Sequence, residues 1–181
     1  MTTDAEEIIY QYYRPGALLT ELLLDHSRRV RDKALAVAAR IVDAQPDLQF
    51  IAQAAMLHDI GICRTAAPSI HCYGRQAYVH HGMIGRGMVE AFGLNRHALV
   101  CERHVGTGIT LADIRRRKLP LPLRDMTPQA LEEVIICYAD KFFSKTENGR
   151  ELPVDRIIAG LSRYGKEKAQ TFLSWHARFN P

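Results

Sequence analysis

Two adjacent residues, His58 and Asp59, follow an apolar run and combine an imidazole nitrogen with a carboxylate oxygen. Together these two groups can bind a divalent metal ion. Side chains of the same two types stand at wide intervals on both sides of the pair: His26, His81, His104 and Asp140. Spacing this wide excludes a zinc finger, in which the ligands come in close pairs. The pattern therefore predicts a metal site assembled from several helices.

The length and composition are typical of one globular domain. The chain has 181 residues, of which 47% are hydrophobic and 24% are charged, so it is long enough to bury a core. No apolar stretch approaches the roughly 18 residues of a membrane span, and the first residues do not begin a signal peptide. We therefore expect a single cytoplasmic domain over residues 1–181, without a membrane partner and with its cysteines reduced. The sequence makes no prediction of oligomeric state.

The net charge of +4 is densest in the run Arg115-Arg116-Arg117-Lys118. A positive charge suits anionic ligands in general. No aromatic side chains interleave with this run, as they would on a surface that binds single-stranded nucleic acid. We therefore interpret the run as a solvated helix end or loop, and nucleic acid as a disfavoured partner.

Apolar positions repeat at intervals of three and four, which predicts an all-α fold. The longest pattern covers residues 18–44 and stops before Pro46, and strand-like alternation does not persist anywhere in the chain. Further helices are expected over 81–92, 96–104, 127–145 and 155–178, the last divided at Gly165. The expected architecture is a helical bundle with the metal site between its helices.

Local signals predict where several helices begin and end. Asp47 is expected to cap a helix that Gly61 ends, which places His58 and Asp59 in its last turn. At such a fraying end, both side chains can turn toward one ion. Two later helices are expected to begin at Thr127-Pro128 and at Asp155.

Four short sequence motifs around these residues resemble the HD-domain superfamily of metal-dependent phosphohydrolases. The motifs are AAMLHDIG, HHGMIG, ERHVGTG and CYADK, and they carry, in order, His58-Asp59, His81, His104 and Asp140. The resemblance covers about residues 18–146 and is closest to the HDIG-type subgroup, which has extra histidines between the doublet and the last aspartate. It implies an HD-type helical bundle, followed by a helical extension over about residues 150–178.

The resemblance also implies a two-metal site. In it, Asp59 bridges two metal ions, the first also bound by His26, His58 and Asp140 and the second by His81 and His104. A mixed imidazole and carboxylate set favours Fe, Mn, Zn or Co over Mg or Ca, and we prefer iron or manganese. Metal-bound hydroxide would then cleave a phosphoester or phosphoanhydride of a nucleotide or another small phosphorylated molecule, with His58 and Asp59 as catalytic residues.

Three basic residues near these ligands in sequence are predicted to bind the substrate phosphate. They are Arg29, Arg103 and Lys141, each within three residues of a proposed ligand. The loop Gly106-Thr107-Gly108 is a candidate wall of the site, because glycines let backbone amides approach an anion. Surface charge and a simple turn are the alternative interpretations of these features.

Other functions are compatible with the same ligands. An HD-type di-iron oxygenase uses much the same pattern to cleave C–H or C–C bonds with dioxygen. A regulatory module could keep the scaffold and a metal without turnover, since fold and metal binding do not fix function. A basic nucleic-acid binder is a further hypothesis, and it predicts salt-sensitive binding to random DNA or RNA.

Overall fold

The computed structural model describes residues 4–41, 43–147 and 149–180. Within these residues the predicted all-α fold is confirmed, with nine α-helices and one pair of short strands. The helices are α1 (Ala5–Tyr10), α2 (Leu18–Ala38), α3 (Leu48–Leu57), α4 (His81–Glu90), α5 (Asn95–Arg103), α6 (Leu111–Arg117), α7 (Leu131–Asp140), α8 (Val154–Ser162) and α9 (Lys166–Phe179). The strands β1 (Ala66–Ala67) and β2 (Cys72–Tyr73) are antiparallel, and Ala66 pairs with Tyr73.

Helix α2 lies at the centre of the bundle and packs against α3 and α7. Its buried face includes Val30, Ala34 and Val37, which recur at the helical interval of three or four that the sequence displays. Helices α8 and α9 complete the same core, where the ring of Phe172 stacks on that of Tyr138 with centroids 5.3 Å apart. The C-terminal helices are therefore part of the main apolar core.

A second apolar core lies under α1, α3, α4 and α5, and its fully buried members include Ile8, Ile9, Leu57, Val89 and Cys101. A smaller third cluster joins α6 to the loop before α7 through Ile109, Ile114, Leu121 and Met126. None of the helices in the described residues combines the length and the apolar character that crossing a membrane requires.

Two helices are shorter than predicted. Helix α2 ends at Ala38 instead of continuing to residue 44, and the chain then tightens, since the N–H groups of Arg40 and Ile41 donate to the carbonyls three residues earlier. Helix α7 begins at Leu131 and not at Thr127, since Met126 exchanges two backbone hydrogen bonds with Ile109, at 2.8 and 2.9 Å, and this pairing keeps the chain extended.

Helix starts were predicted with mixed success. Asp47 caps α3 as expected, and its side chain accepts a hydrogen bond from the N–H of Phe50 at 2.9 Å. The expected cap at Asp155 is wrong: Pro153 occupies the cap position of α8, and Asp155 lies in the first turn. Gly165 does separate the last two helices.

Two helices were not predicted as such, α1 and α6. Helix α6 begins with a reciprocal capping box between Thr110 and Asp113. It therefore places the basic run at its exposed C-terminal end, which confirms the interpretation of that run as a solvated helix end.

Gly61 does not end α3 as the sequence predicted. The helix ends at Leu57, and Gly61 lies inside a short 3-10 helix, Ile60–Arg64, that packs against the start of α4. A Cβ at this position would lie 2.1 Å from the carbonyl oxygen of His81 and 2.5 Å from the backbone nitrogen of Gly85. Gly61 is therefore required for close packing of the backbone beside His81.

Candidate metal centre

The six predicted ligands converge because most of them lie where a helix begins or ends. His26 projects from α2, whereas His58 and Asp59 follow the last residue of α3. His81 is the first residue of α4, His104 directly follows α5, and Asp140 is the last residue of α7. All six are at most 9% exposed. Buried polar groups in this number require partners or a bound ion.

One group of four side chains could hold a metal ion: His26, His58, Asp59 and Asp140. The Nε2 atoms of His26 and His58 lie 3.1 and 3.0 Å from Oδ2 of Asp59. The same nitrogens lie 3.1 and 3.4 Å from Oδ1 of Asp140. Two imidazole nitrogens and two carboxylate oxygens therefore face one another.

A second group, Asp59, His81 and His104, could hold another ion. Here the Nε2 atoms of His81 and His104 lie 3.5 and 3.4 Å from the other oxygen of Asp59, Oδ1. Asp59 thus belongs to both groups and offers a different oxygen to each.

Backbone carbonyls determine which nitrogen of these histidines faces the centre. The Nδ1–H of His81 donates to the carbonyl of Tyr78 at 2.7 Å, and that of His104 donates to the carbonyl of Cys101 at 2.8 Å. His58 makes the equivalent bond to Ala55 at 2.7 Å. A hydrogen bond from Nδ1–H leaves the lone pair on Nε2, which is the usual arrangement of a metal-binding histidine.

The second group fits a cation particularly well. The two Nε2 atoms of His81 and His104 are 3.2 Å apart, and with both protons on Nδ1 neither nitrogen can donate to the other. Oδ1 of Asp59 is buried beside them without a hydrogen-bond partner among the described residues. Lone pairs this close are unfavourable unless a cation joins them, so the donor set matches a divalent metal.

The ionisation of these histidines depends on burial and on Asp59. Burial lowers the pKa of His81 to about 3 and also lowers that of His104, which keeps both rings neutral near pH 7. For His58, burial acts in the same direction, but the carboxylates of Asp59 and Asp140 outweigh it and raise the pKa to about 9.

Two lysines hold the carboxylates in their charged form. Burial alone would raise the pKa of Asp59 and Asp140, but Lys145 beside Asp59 and Lys141 beside Asp140 keep both values well below the usual range. The contacts are 2.5 Å from Lys145 Nζ to Asp59 Oδ2 and 2.6 Å from Lys141 Nζ to Asp140 Oδ2. The carboxylates of the centre are therefore negatively charged, and two positively charged lysines lie directly beside them.

A family model for the HD domain matches residues 23–144 of the chain. This segment contains all six converging side chains. The chain belongs to the HD-domain family.

Three curated proteins are similar to this HD domain. Uncharacterized protein MJ0778 of Methanocaldococcus jannaschii is 30% identical over 82% of the chain and 81% of its own length. The tRNA (cytidine(56)-2'-O)-methyltransferases of Thermoplasma volcanium and Picrophilus torridus are 27% and 33% identical over 90% and 67% of the chain. The chain spans only 41% and 30% of those two methyltransferases, so their names describe much longer proteins.

Among solved structures, the HD domain of the phosphodiesterase PgpH from L. monocytogenes has a similar fold. The TM-score is 0.56 and the sequence identity is 13%, and the match covers 94% of each chain. The match therefore extends beyond the segment of the family model and includes the C-terminal helices of this HD domain.

An open cleft of about 490 Å³, here called the lysine cleft, borders the centre of this HD domain. Asp140 and the ring of Tyr78 form part of its wall, and its other polar lining residues are Ser69, Lys141, Ser144, Lys145 and Thr146. Two ammonium groups and three hydroxyls supply donors that an anionic group requires. The cleft therefore places hydrogen-bond donors and positive charge directly beside the proposed metal ligands.

Lys141 was predicted from the sequence as a substrate contact and lines this cleft, whereas Lys145 was not predicted. The helix containing Asp140 was expected to continue to residue 145, which would have carried Lys145 along the helix surface. Because α7 ends at Asp140, the chain turns back and directs Lys145 into the centre. The spacing of Lys141 and Lys145 by four residues is a weak signal that is common on solvated helices.

The two predicted arginines are placed differently. Arg29 lines a small pocket with His26 and Lys145, and its Nε donates to Asp25 at 2.9 Å. Arg103 lies next to His104, but its Nη1 is 3.0 Å from both carboxylate oxygens of Glu133. Arg103 therefore has a structural partner, whereas Arg29 borders the centre.

A second and more enclosed cavity of about 400 Å³, here called the apolar cavity, begins at His81 and Tyr78. Its apolar lining includes Val79, Val105, Ile109, Leu119 and Leu161. Gly106 and Gly108 also line it, so the loop expected to form a wall does border a cavity beside the centre. Tyr78 borders both this cavity and the lysine cleft.

Proposed function

We propose that this HD domain is a metal-dependent phosphohydrolase that cleaves a phosphoester or phosphoanhydride of a nucleotide or another small phosphorylated molecule. One observation carries the proposal: two groups of imidazole and carboxylate side chains share Asp59, and a cleft lined by two lysines lies beside them. Metal ligands and phosphate-binding cations are the two parts that phosphoryl transfer requires.

In this proposal, the first ion is held by His26, His58, Asp59 and Asp140, and the second by Asp59, His81 and His104. Divalent ions bound there lower the pKa of a coordinated water and neutralise charge on the phosphoryl oxygens. The donor set favours Fe, Mn, Zn or Co, because Mg and Ca prefer shells made of oxygen.

The protein's own contribution is to bind and orient the substrate. Lys141 reaches the lysine cleft with its Nζ also 3.1 Å from the carbonyl of His104, which fixes the ammonium beside the centre. Ser69, Ser144 and Thr146 also line this cleft, and their hydroxyls supply neutral donors. These groups hold the phosphate in place, while the buried histidines exclude bulk water from the ligand atoms.

The organic part of the substrate fits the apolar cavity in this proposal. His81 lines the cavity, so the cavity lies next to the centre. A phosphate bound at the centre could therefore carry an organic group that extends into the cavity. Its size falls in the range of about 300–1,000 Å³ that is typical of small-molecule sites.

The test is release of inorganic phosphate from a panel of nucleotides and simple phosphate esters, with Mn²⁺ present and with or without oxygen. We expect hydrolysis that does not depend on oxygen, and we expect Asp59→Asn to reduce it by at least about a hundredfold, since even groups behind a metal ligand often contribute 10- to 100-fold. Asp155→Asn is the matched control, because Asp155 is exposed on α8.

Two results would contradict the proposal. One is equal phosphate release by the wild type and Asp59→Asn. The other is consumption of dioxygen by a reduced iron-loaded protein that releases no phosphate from any ester, which would favour the oxygenase hypothesis.

A further inference from the structure

Lys145 makes a charged contact with the one carboxylate that belongs to both ligand groups. Its Nζ lies 2.5 Å from Oδ2 of Asp59, and the lysine side chain is 14% exposed while the aspartate is fully buried. Lys145 reaches this position from the turn that follows α7. This contact lies outside the set of ligands and outside the three basic residues predicted from the sequence.

The oxygen that Lys145 contacts is the one that faces the first ligand group. Oδ2 of Asp59 also lies 3.1 and 3.0 Å from Nε2 of His26 and His58. An ammonium group and a divalent ion would therefore be neighbours on a single oxygen. Like charges at this separation repel strongly in a buried site, because neither water nor salt screens them well.

Lys141 differs from Lys145 in this respect. It contacts Oδ2 of Asp140, whereas the histidines face the other oxygen, Oδ1. The ammonium of Lys141 and an ion held by the first group would therefore contact different oxygens of Asp140. The conflict with a metal ion is specific to Lys145.

The lysine cleft offers Lys145 a second partner close by. Lys145 lines this cleft together with Ser144 and Thr146. Lys145 also lines the small pocket beside His26, so its long, flexible side chain borders two openings next to Asp59. A phosphoryl group bound in the cleft could then form an ion pair with the Lys145 ammonium.

We propose that Lys145 competes with the first metal ion for Oδ2 of Asp59 and, once displaced, binds the phosphoryl group of the substrate. The second half of this statement rests on the proposed function, and the first half does not. Lys145 thus couples loading of the centre to the binding of an anion.

The test measures two affinities by titration calorimetry on the full chain after metal has been removed with a chelator. With Mn²⁺ alone, Lys145→Met should bind metal about tenfold more tightly than the wild type, because the competing charge is gone. With saturating Mn²⁺, the same variant should bind inorganic phosphate about tenfold more weakly, because it has lost a cation.

Matched variants control for the loss of charge and for folding. Lys166→Met removes an exposed lysine at the start of α9 and should leave both affinities unchanged. Lys145→Gln is a second neutral variant, expected to behave like Lys145→Met, and circular dichroism checks that each variant is folded.

Equal or weaker Mn²⁺ affinity in both folded Lys145 variants would overturn the competition, and unchanged phosphate affinity would overturn the role in substrate binding. These outcomes differ from failure of the proposed function. A wild type that binds Mn²⁺ and phosphate as described but hydrolyses no ester would refute the hydrolase and leave the competition intact.

Discussion

At the scale of single residues, the carboxylate of Asp59 connects the whole centre. One oxygen faces His26 and His58, and the other faces His81 and His104. The resemblance to HD-domain proteins implied that Asp59 would be shared, and the geometry fits that role. The proposed bridging of two ions remains a prediction.

Gly61 provides a sharp residue-scale prediction. Gly61→Ala should destabilise the fold by about 3 kcal/mol or more, because the new methyl group would collide with the backbone of His81 and Gly85, which cannot move without disturbing α4. Urea unfolding followed by circular dichroism measures the change. Metal affinity should fall with it, since His81 is the proposed ligand that must shift.

Gly87→Ala is the matched control for this substitution. Gly87 lies in the same helix, α4, and a Cβ there would meet nothing within 4 Å. This variant should be stabilised by about 0.5–1 kcal/mol through helix propensity. If both variants show equal stability, close packing at Gly61 is not what requires glycine.

Residue identity made much of the centre predictable. The six proposed ligands stand out by residue type and by the four motifs, and such polar groups are costly to bury without partners. Lys145 carries no comparable signal, because a lysine four residues after another lysine is common on a solvated helix. Only the early end of α7 brings it to Asp59.

At the scale of elements, helix existence was easier to predict than helix limits. The apolar repeat identified α2, α3, α4, α5 and α7, but the start of α7 depends on a contact distant in sequence. The backbone of Met126 pairs with that of Ile109, 17 residues earlier, and the local sequence around Thr127 does not indicate this pairing. The capping box at Thr110 was a local signal for α6 that the sequence analysis did not use.

The apolar cavity depends on elements from two parts of the chain. Val79 and Val105 come from the segments around His81 and His104, whereas Leu161 belongs to α8, beyond the segment of the family model. Leu119 follows α6 and is half-buried at the cavity wall. The C-terminal helices therefore help to shape the cavity beside the centre.

Filling this cavity should change substrate preference. Leu119→Trp should lower kcat/KM for an aromatic ester such as p-nitrophenyl phosphate by about tenfold, because one or two kcal/mol of lost binding corresponds to that factor. Pyrophosphate, which has no organic part, should be cleaved at the wild-type rate. Steady-state phosphate release on the two substrates measures the ratio.

Leu123→Trp is the control, because Leu123 is 68% exposed. It should leave the ratio unchanged. An equal loss on both substrates in Leu119→Trp would contradict a role for the cavity in binding the organic group.

At the scale of the whole molecule, fold and centre are built from the same helices. The ends of α3 and α7 meet the middle of α2, the start of α4 and the end of α5 meet beside Asp59, and apolar cores pack against these helices. Membership of the HD-domain family agrees with this architecture, and the proposed chemistry depends on whether the two ligand groups bind metal as arranged.

The most direct test is elemental analysis of protein purified without added metal and without a metal-binding tag. We expect about two Fe, Mn, Zn or Co ions per chain in the wild type, about one in His81→Ala combined with His104→Ala, and almost none in Asp59→Ala, because Asp59 belongs to both ligand groups. His71→Ala, at an exposed position, should match the wild type. A wild type that carries almost no metal, and takes up none on reconstitution, would contradict metal binding by the two ligand groups.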